Sequence, residues 1–410
     1  MTGVNDVPVE VLGYIFYLAT VDNMYPYSRL GLGRYLSVIR RNPYRNCAPF
    51  VFLQVCGHWR AVAEATPILW TPLDATTQTL SPTTLVALRH WLSLSQPAPL
   101  EFFLDKTNRF VDARKGDASA HVAAMLRVLA NEAHRWRSAA LDMDPHVAGV
   151  FVDMLLNEFH PGSFPNLKRL EIVAFPGNSA SVPLEDLARA IGSVESLKEL
   201  YLEMKYVPSL LSDIPWGQLT TVYLGMPLSI NEVTSLLTQA TAAIEATFGR
   251  ISGAPTSTWD AQRSTLPELK NLTLTGSESL FNLFNRFDFP RLEQLTITSD
   301  SLTCHQPLEG LIEQPGLPFH RLVLRVSGRL SVSDLTKYLG ILKLRRVPHV
   351  EFHSWNILDV ISGVAQLEDD IPALWSWRHL RRSQCVGWKS QFDHNDSHVA
   401  RIMPSPHVVS

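Results

Sequence analysis

The sequence is short of the residues that carry chemistry. Its four cysteines, Cys47, Cys56, Cys304 and Cys385, are scattered without a Cys-x-x-Cys pair. They offer neither a disulfide framework nor a zinc cluster, and they suit a reducing compartment. There is no G-x-S-x-G elbow, no P-loop and no G-x-G-x-x-G after a strand-like run; Gly31-Leu32-Gly33 lacks the third glycine. No apolar run reaches the roughly 18 residues that span a bilayer, and the first residues lack a basic stretch followed by an apolar one. A net charge of −3 gives no whole-chain reason to expect nucleic acid as a partner. The expectation is a cytoplasmic or nuclear protein, not an enzyme, with no cofactor, no metal and no membrane contact.

What is present is a folded composition, 46% hydrophobic and 18% charged, over 410 residues. That length allows two to three domains. Near the start, Asp6 suits an N-cap, Pro8 a first turn, and Val11, Leu12, Ile15, Phe16 and Ala19 recur at helical spacing. A second stretch, Pro49–Trp70, predicts a helix with Leu53, Cys56, Trp59 and Ala63 on one face and Val55 and Val62 at its edge. Pro67 ends it, and Ile68, Leu69 and Trp70 follow as an apolar clamp. Cys56 reads as a small core residue, and His58 as a neighbour of packed Trp59. So short a helix cannot cover its own stripe, which must meet the rest of the chain or a partner.

Together these stretches read VPVEVLGYIF and FLQVCGHWRAVAEATPILW. They resemble the F-box, in the form common among basidiomycete fungi: a Pro-Glu-Val-Leu opening, a Val-Cys-x-x-Trp-Arg core and a Thr-Pro-x-Leu-Trp close. Val7 stands where the family has Leu, and an insert at about 20–49, carrying Arg34, Arg40, Arg41 and Arg45, replaces a short link. Residues 1–72 are therefore read as an F-box-like helical module.

From residue 136 an apolar triplet, L-x-x-L-x-L, recurs. It is clear at Leu167-Leu170-Ile172, Leu197-Leu200-Leu202, Leu219-Val222-Leu224, Leu269-Leu272-Leu274 and Leu292-Leu295-Ile297. Weaker copies are Trp136-Ala139-Leu141, Ala243-Ala246-Phe248, Phe319-Leu322-Leu324 and Val347-Val350-Phe352, so the spacing runs from 22 to 31 residues. Helical segments lie between, two of them opened by capping-box patterns at Ser229/Glu232 and Ser331/Asp334. The period and triplet resemble a leucine-rich-repeat solenoid in degenerate form, lacking the regular Asn or Cys after the triplet. A doubly wound α/β domain also alternates strand and helix, but the fixed triplet and the missing glycine-rich turn favour the solenoid. The expected fold class is α/β: 73–135 a transition segment and N-terminal cap, 136–355 the solenoid, 356–392 a C-terminal cap holding Trp375, Trp377 and Trp388, and 393–410 a flexible tail. His394 and His398 with Asp393 and Asp396 lie in that tail and read as a solvated polar run rather than a metal site.

Within each triplet, positions 4 and 6 face the core and positions 3 and 5 face the other way. That places Arg169, Glu171, Glu199, Tyr201, Tyr223, Thr247, Thr273, Thr296 and Arg321 on an exposed face as candidate target-binding residues, with Tyr201 and Tyr223 on neighbouring strands roughly 5 Å apart. Thr and Tyr also serve strand propensity alone. The F-box resemblance implies a non-catalytic substrate receptor of an SCF-type (Skp–cullin–F-box) ubiquitin ligase. Its partners would be a Skp-family adaptor, through it a cullin, and a target protein. Pro8, Val11, Leu12, Ile15, Leu53, Val55, Trp59 and Trp70 are the expected adaptor-docking positions, divided in an unknown way between docking and holding the module together. The alternative is an interaction scaffold whose first helices only cap the repeats.

Overall fold

The computed structural model describes residues 7–24, 49–74, 82–104, 115–143, 145–158, 162–174, 184–204, 212–253, 263–301, 306–312, 317–340, 347–354, 356, 375–376 and 398–404. The arginines of the insert, and Trp377 and Trp388 of the expected C-terminal cap, lie outside them. Contacts divide the chain into two compact units, Met1–Ile214 and Pro215–Ser410.

In the first unit, α1 (Val9–Met24), α2 (Phe52–Val55) and α3 (Gly57–Glu64) form the N-terminal module, closed by a 3-10 turn, Pro67–Trp70. Strands and helices then alternate: β1 (Pro72–Asp74), α4 (Pro82–Leu94), β2 (Leu100–Leu104), α5 (Lys115–Ala130), β3 (Trp136–Met143), α6 (Pro145–Asp153), β4 (Arg169–Ala174), α7 (Leu184–Gly192) and β5 (Glu199–Met204). The strands pair in parallel and in chain order. β1 and β2 thus extend the row ahead of the first triplet, within the stretch expected to be transition and cap, with Leu73 opposite Phe102 and Phe102 opposite Ala139.

The second unit repeats the pattern with β6 (Thr221–Leu224), the short β7 (Leu228–Ser229), α8 (Ile230–Gln239), β8 (Glu245–Ser252), β9 (Ser264–Thr265), β10 (Asn271–Gly276), α9 (Leu283–Arg286), β11 (Phe287–Asp288), β12 (Gln294–Ser299), α10 (Gln306–Ile312), β13 (Arg321–Val326), α11 (Val332–Gly340) and β14 (His349–Ser354). The row β6-β8-β10-β12-β13-β14 is parallel and again sequential, with β9 and β11 paired separately. Among the described residues the two parallel rows keep chain order, without the reversal of strand order that a doubly wound sheet requires.

Every side chain of the nine triplets is buried. Position 4 forms a continuous row in register, Val222, Ala246, Leu272, Leu295, Leu322 and Val350. Parallel strands place like positions side by side, so one apolar pattern copied along the chain becomes a continuous core. The corners are tied by backbone: Lys168 O accepts from the N–H groups of both Lys198 and Glu199, Ile244 O from Lys270 and Asn271, Lys270 O from Glu293 and Gln294. Gly276 sits where an added Cβ would strike Ile251 O, at the bulge that shifts the β8–β10 register.

The capping box at Ser229 forms, and Ser331 serves as an N-cap. Ser229 Oγ accepts from Glu232 N–H while the Glu232 carboxylate accepts from Ser229 N–H at 2.7 Å. Ser331 Oγ accepts from Asp334 N–H at 3.0 Å. One expectation is corrected at the end of the chain: within the supposed flexible tail, β16 (His398–Pro404) pairs antiparallel with β14, and β15 (Trp375–Ser376) pairs with β16. Open parallel sheets leave an edge of unpaired N–H and C=O groups, and a returning strand satisfies it.

Candidate interaction surfaces

The N-terminal module is held by an aromatic knot. Leu12, Phe16 and Thr20, one turn apart on α1, are buried. Phe16 stacks on Phe52, ring centroids 4.1 Å apart, and tilts against Trp59 at 4.8 Å. Thr20 donates its hydroxyl to Phe16 O, which removes the penalty of burying it.

The expected continuous helix over 49–66 is broken. Cys56 is extended (φ −159°, ψ 172°), ends α2 and becomes the N-cap of α3, its Sγ accepting from Trp59 N–H. Cys56 is exposed, not a core residue. Helical spacing alone joined Leu53 to Trp59; the break rotates α3, leaving Trp59 half-buried while Val62 and Ala63 turn fully inward.

The eight expected docking residues now separate. Leu12 and Trp70 are buried, and Trp70 donates its indole N–H to Ala63 O at 2.8 Å, so both hold the module together. Leu53 and Trp59 are half-buried. Pro8, Val11, Ile15 and Val55 are exposed. Sequence reading missed Val9, Tyr14, Leu18 and Val51, which extend the same exposed set; so does Ile68 of the clamp. A signal was available: Val11, Tyr14, Ile15 and Leu18 recur at i, i+3, i+4 and i+7, a second stripe opposite Leu12–Phe16–Thr20. Among the described residues eleven large apolar side chains stay exposed, and eight of them lie between Val9 and Ile68. A helix apolar on both faces is expected to be covered on both.

The second candidate surface is the strand face opposite the core. The predicted rows form: Ala140, Glu171 and Tyr201 in the first unit; Tyr223, Thr247, Thr273, Thr296, Val323 and Glu351 in the second. Tyr201 and Tyr223 belong to different units. Each is half-buried, as are Thr247, Thr273, Thr296, Arg169, Glu199 and Arg321.

Glu171 corrects the expectation of an exposed carboxylate; it is 3% exposed. Arg169 bridges it at 3.3 Å and Glu199 at 3.6 Å, and lies over the Tyr201 ring at 4.5 Å. Burial pushes the Glu171 carboxyl above its ordinary range, the Arg169 charge and hydrogen bond pull it back, and the Glu203 charge adds to the rise. Alternation along a strand shows which side a residue leaves the sheet, not whether its cross-strand neighbours close over it. In the second unit Glu351 is likewise buried, 3.3 Å from both Arg321 and His353. Among the described residues no helix is long and apolar enough to cross a membrane, and no group of His, Cys, Asp and Glu is arranged to hold a metal ion.

Comparison of the sequence with protein-family models gives no match, and comparison with curated proteins gives none either.

Proposed function

We propose that the chain is a non-catalytic substrate receptor of an SCF-type ubiquitin ligase. The F-box-like module docks on a Skp-family adaptor, which links it to a cullin, and leucine-rich-repeat-like strand faces hold the target protein. One observation carries the reading. Exposed apolar side chains concentrate on the N-terminal module, and they include Pro8, Val11, Ile15 and Val55, positions at which the F-box resemblance places adaptor contacts. Water-facing Val and Ile stripes of this kind mark surfaces completed by a partner.

The scaffold alternative draws on a different observation. Trp91 of α4 donates its indole N–H to Trp70 O at 2.6 Å, and Phe50 meets both indoles edge-on, so the module is sewn to the first strand–helix unit as a cap would be. A cap needs a polar outer face, and α1 has an apolar one.

The test is co-purification of the full chain with a fungal Skp-family adaptor, beside the variant Val11→Asp/Ile15→Asp. The expected result is a stable complex with the parent chain and none with the variant, at unchanged melting temperature. A folded parent chain that does not bind the adaptor hands the reading to the scaffold alternative.

A further inference from the structure

The end of the second unit carries a charge pattern that the triplet reading did not contain. On the strand face, β13 presents Arg321, Val323 and Arg325, and β14 presents His349, Glu351 and His353, in direct register: Arg321 opposite His349, Val323 opposite Glu351, Arg325 opposite His353. Two arginines and two histidines thus stand at the corners of a rectangle, about 13 Å along the strand and about 5 Å across it, with one carboxylate inside. Arg325 and His349 are exposed and Arg321 is half-buried, so the corners face solvent, while Val323 and Glu351 form a buried floor. Glu351 engages Arg321 and His353, both at 3.3 Å. The antiparallel strand beyond sets Arg401 at the register position opposite Glu351.

The row beside this patch is polar but uncharged: Gln294, Thr296 and Thr298 on β12 lie opposite Arg321, Val323 and Arg325. The arrangement therefore offers two arginines and two imidazoles at set corners, next to hydroxyl and amide groups able to bond a peptide backbone. A polynucleotide needs a long run of cations, whereas β13 and β14 together present two arginines on this face. We infer that the β13–β14 face binds an acidic peptide segment, with Asp or Glu side chains on Arg321, Arg325 and His349. This deepens the target-binding half of the proposed function and rests on that reading only for its biological meaning; the charge complementarity stands without the N-terminal module.

The experiment is fluorescence anisotropy of full-length chain with a labelled peptide of alternating Asp and Ser, a Lys/Ser peptide of equal length as control, and a single-stranded oligonucleotide as competitor. The acidic peptide binds and the basic one does not, and binding weakens when NaCl is raised from about 50 to about 300 mM. Arg325→Ala/His349→Ala weakens binding at least about tenfold, whereas Arg291→Ala, whose exposed pair with Glu268 lies elsewhere in the unit, leaves it unchanged. Glu351→Gln removes the internal counter-charge and tightens binding about threefold or more, a gain that an unfolded variant does not give. Equal binding of both peptides, stronger binding of the oligonucleotide, or no response to the Arg325/His349 change overturns the inference. Adaptor co-purification on the same proteins separates the two readings: a chain that holds the adaptor and ignores the acidic peptide refutes only this one.

Discussion

The indole N–H of Trp91 points at the carbonyl oxygen of Trp70 across 2.6 Å, in a contact where both residues are buried. It joins α4 to the last turn of the N-terminal module. Trp91→Phe keeps most of the ring packing against Phe50 and Trp70 but leaves a buried carbonyl without this donor. The expected loss is about 1–3 kcal/mol of unfolding free energy, read by urea denaturation. An unchanged midpoint would mean that the carbonyl has another partner.

The module separates docking from folding residue by residue. Leu12→Ala deletes a buried side chain and should destabilise by about 2–5 kcal/mol. Val55→Ser, on the exposed side, should shift stability by no more than about 0.5 kcal/mol while weakening adaptor binding. Thermal melting beside adaptor pull-down checks the pair; equal destabilisation by both variants contradicts the division.

Gly13 sets two effects against each other. Replacing a mid-helix glycine by alanine ordinarily gains about 1 kcal/mol. Here the added Cβ would stand 2.9 Å from Thr66 Oγ1, whose hydroxyl is already committed to Val62 O at 2.7 Å. Overpacking of that kind costs about 1–3 kcal/mol, so Gly13→Ala should be neutral to destabilising. Adding Thr66→Ala should return the propensity gain, and a double-mutant cycle in denaturant measures the coupling.

Glu171 gives a pH dependence. Burial is the leading cause of its raised titration, ahead of the opposing pull of Arg169. The fold therefore prefers the protonated form. That contribution to stability is present below the ordinary value of 4.5 and is lost as pH rises through the higher folded-state value. Glu171→Gln should raise the melting temperature at about pH 7, with the difference closing toward about pH 4. A lower melting temperature at both pH values would show that the ion pair with Arg169 outweighs burial.

The repeating half was legible in advance because its information is local and periodic. Each triplet needs only its own three side chains to declare itself, and even the weak copy at Ala243 forms a strand with Ala246 and Phe248 buried. The caps at Ser229 and Ser331 were legible for the same reason. A further apolar position escaped notice: Phe164, Val194, Trp216, Ala240, Leu266 and Phe289, each three residues before a triplet, are all buried. What stayed hidden depends on distant neighbours. Burial of Glu171 and Glu351 is set by strands on either side, and the break at Cys56 by how α3 must turn to lay Val62 and Ala63 inward. The strand His398–Pro404 reads as polar tail until the edge of β14 is there to receive it.

The paired donors at each corner carbonyl explain why the repeats tolerate so much variation. Thr220, Ile244, Lys270 and Glu293 have unlike side chains, yet each offers the same oxygen to two amides of the following repeat. A joint made of main chain is blind to residue identity. Selection is then free to change lengths and outward side chains from one repeat to the next without loosening the stack, and a surface assembled on such joints can drift toward a new ligand while its framework stays still.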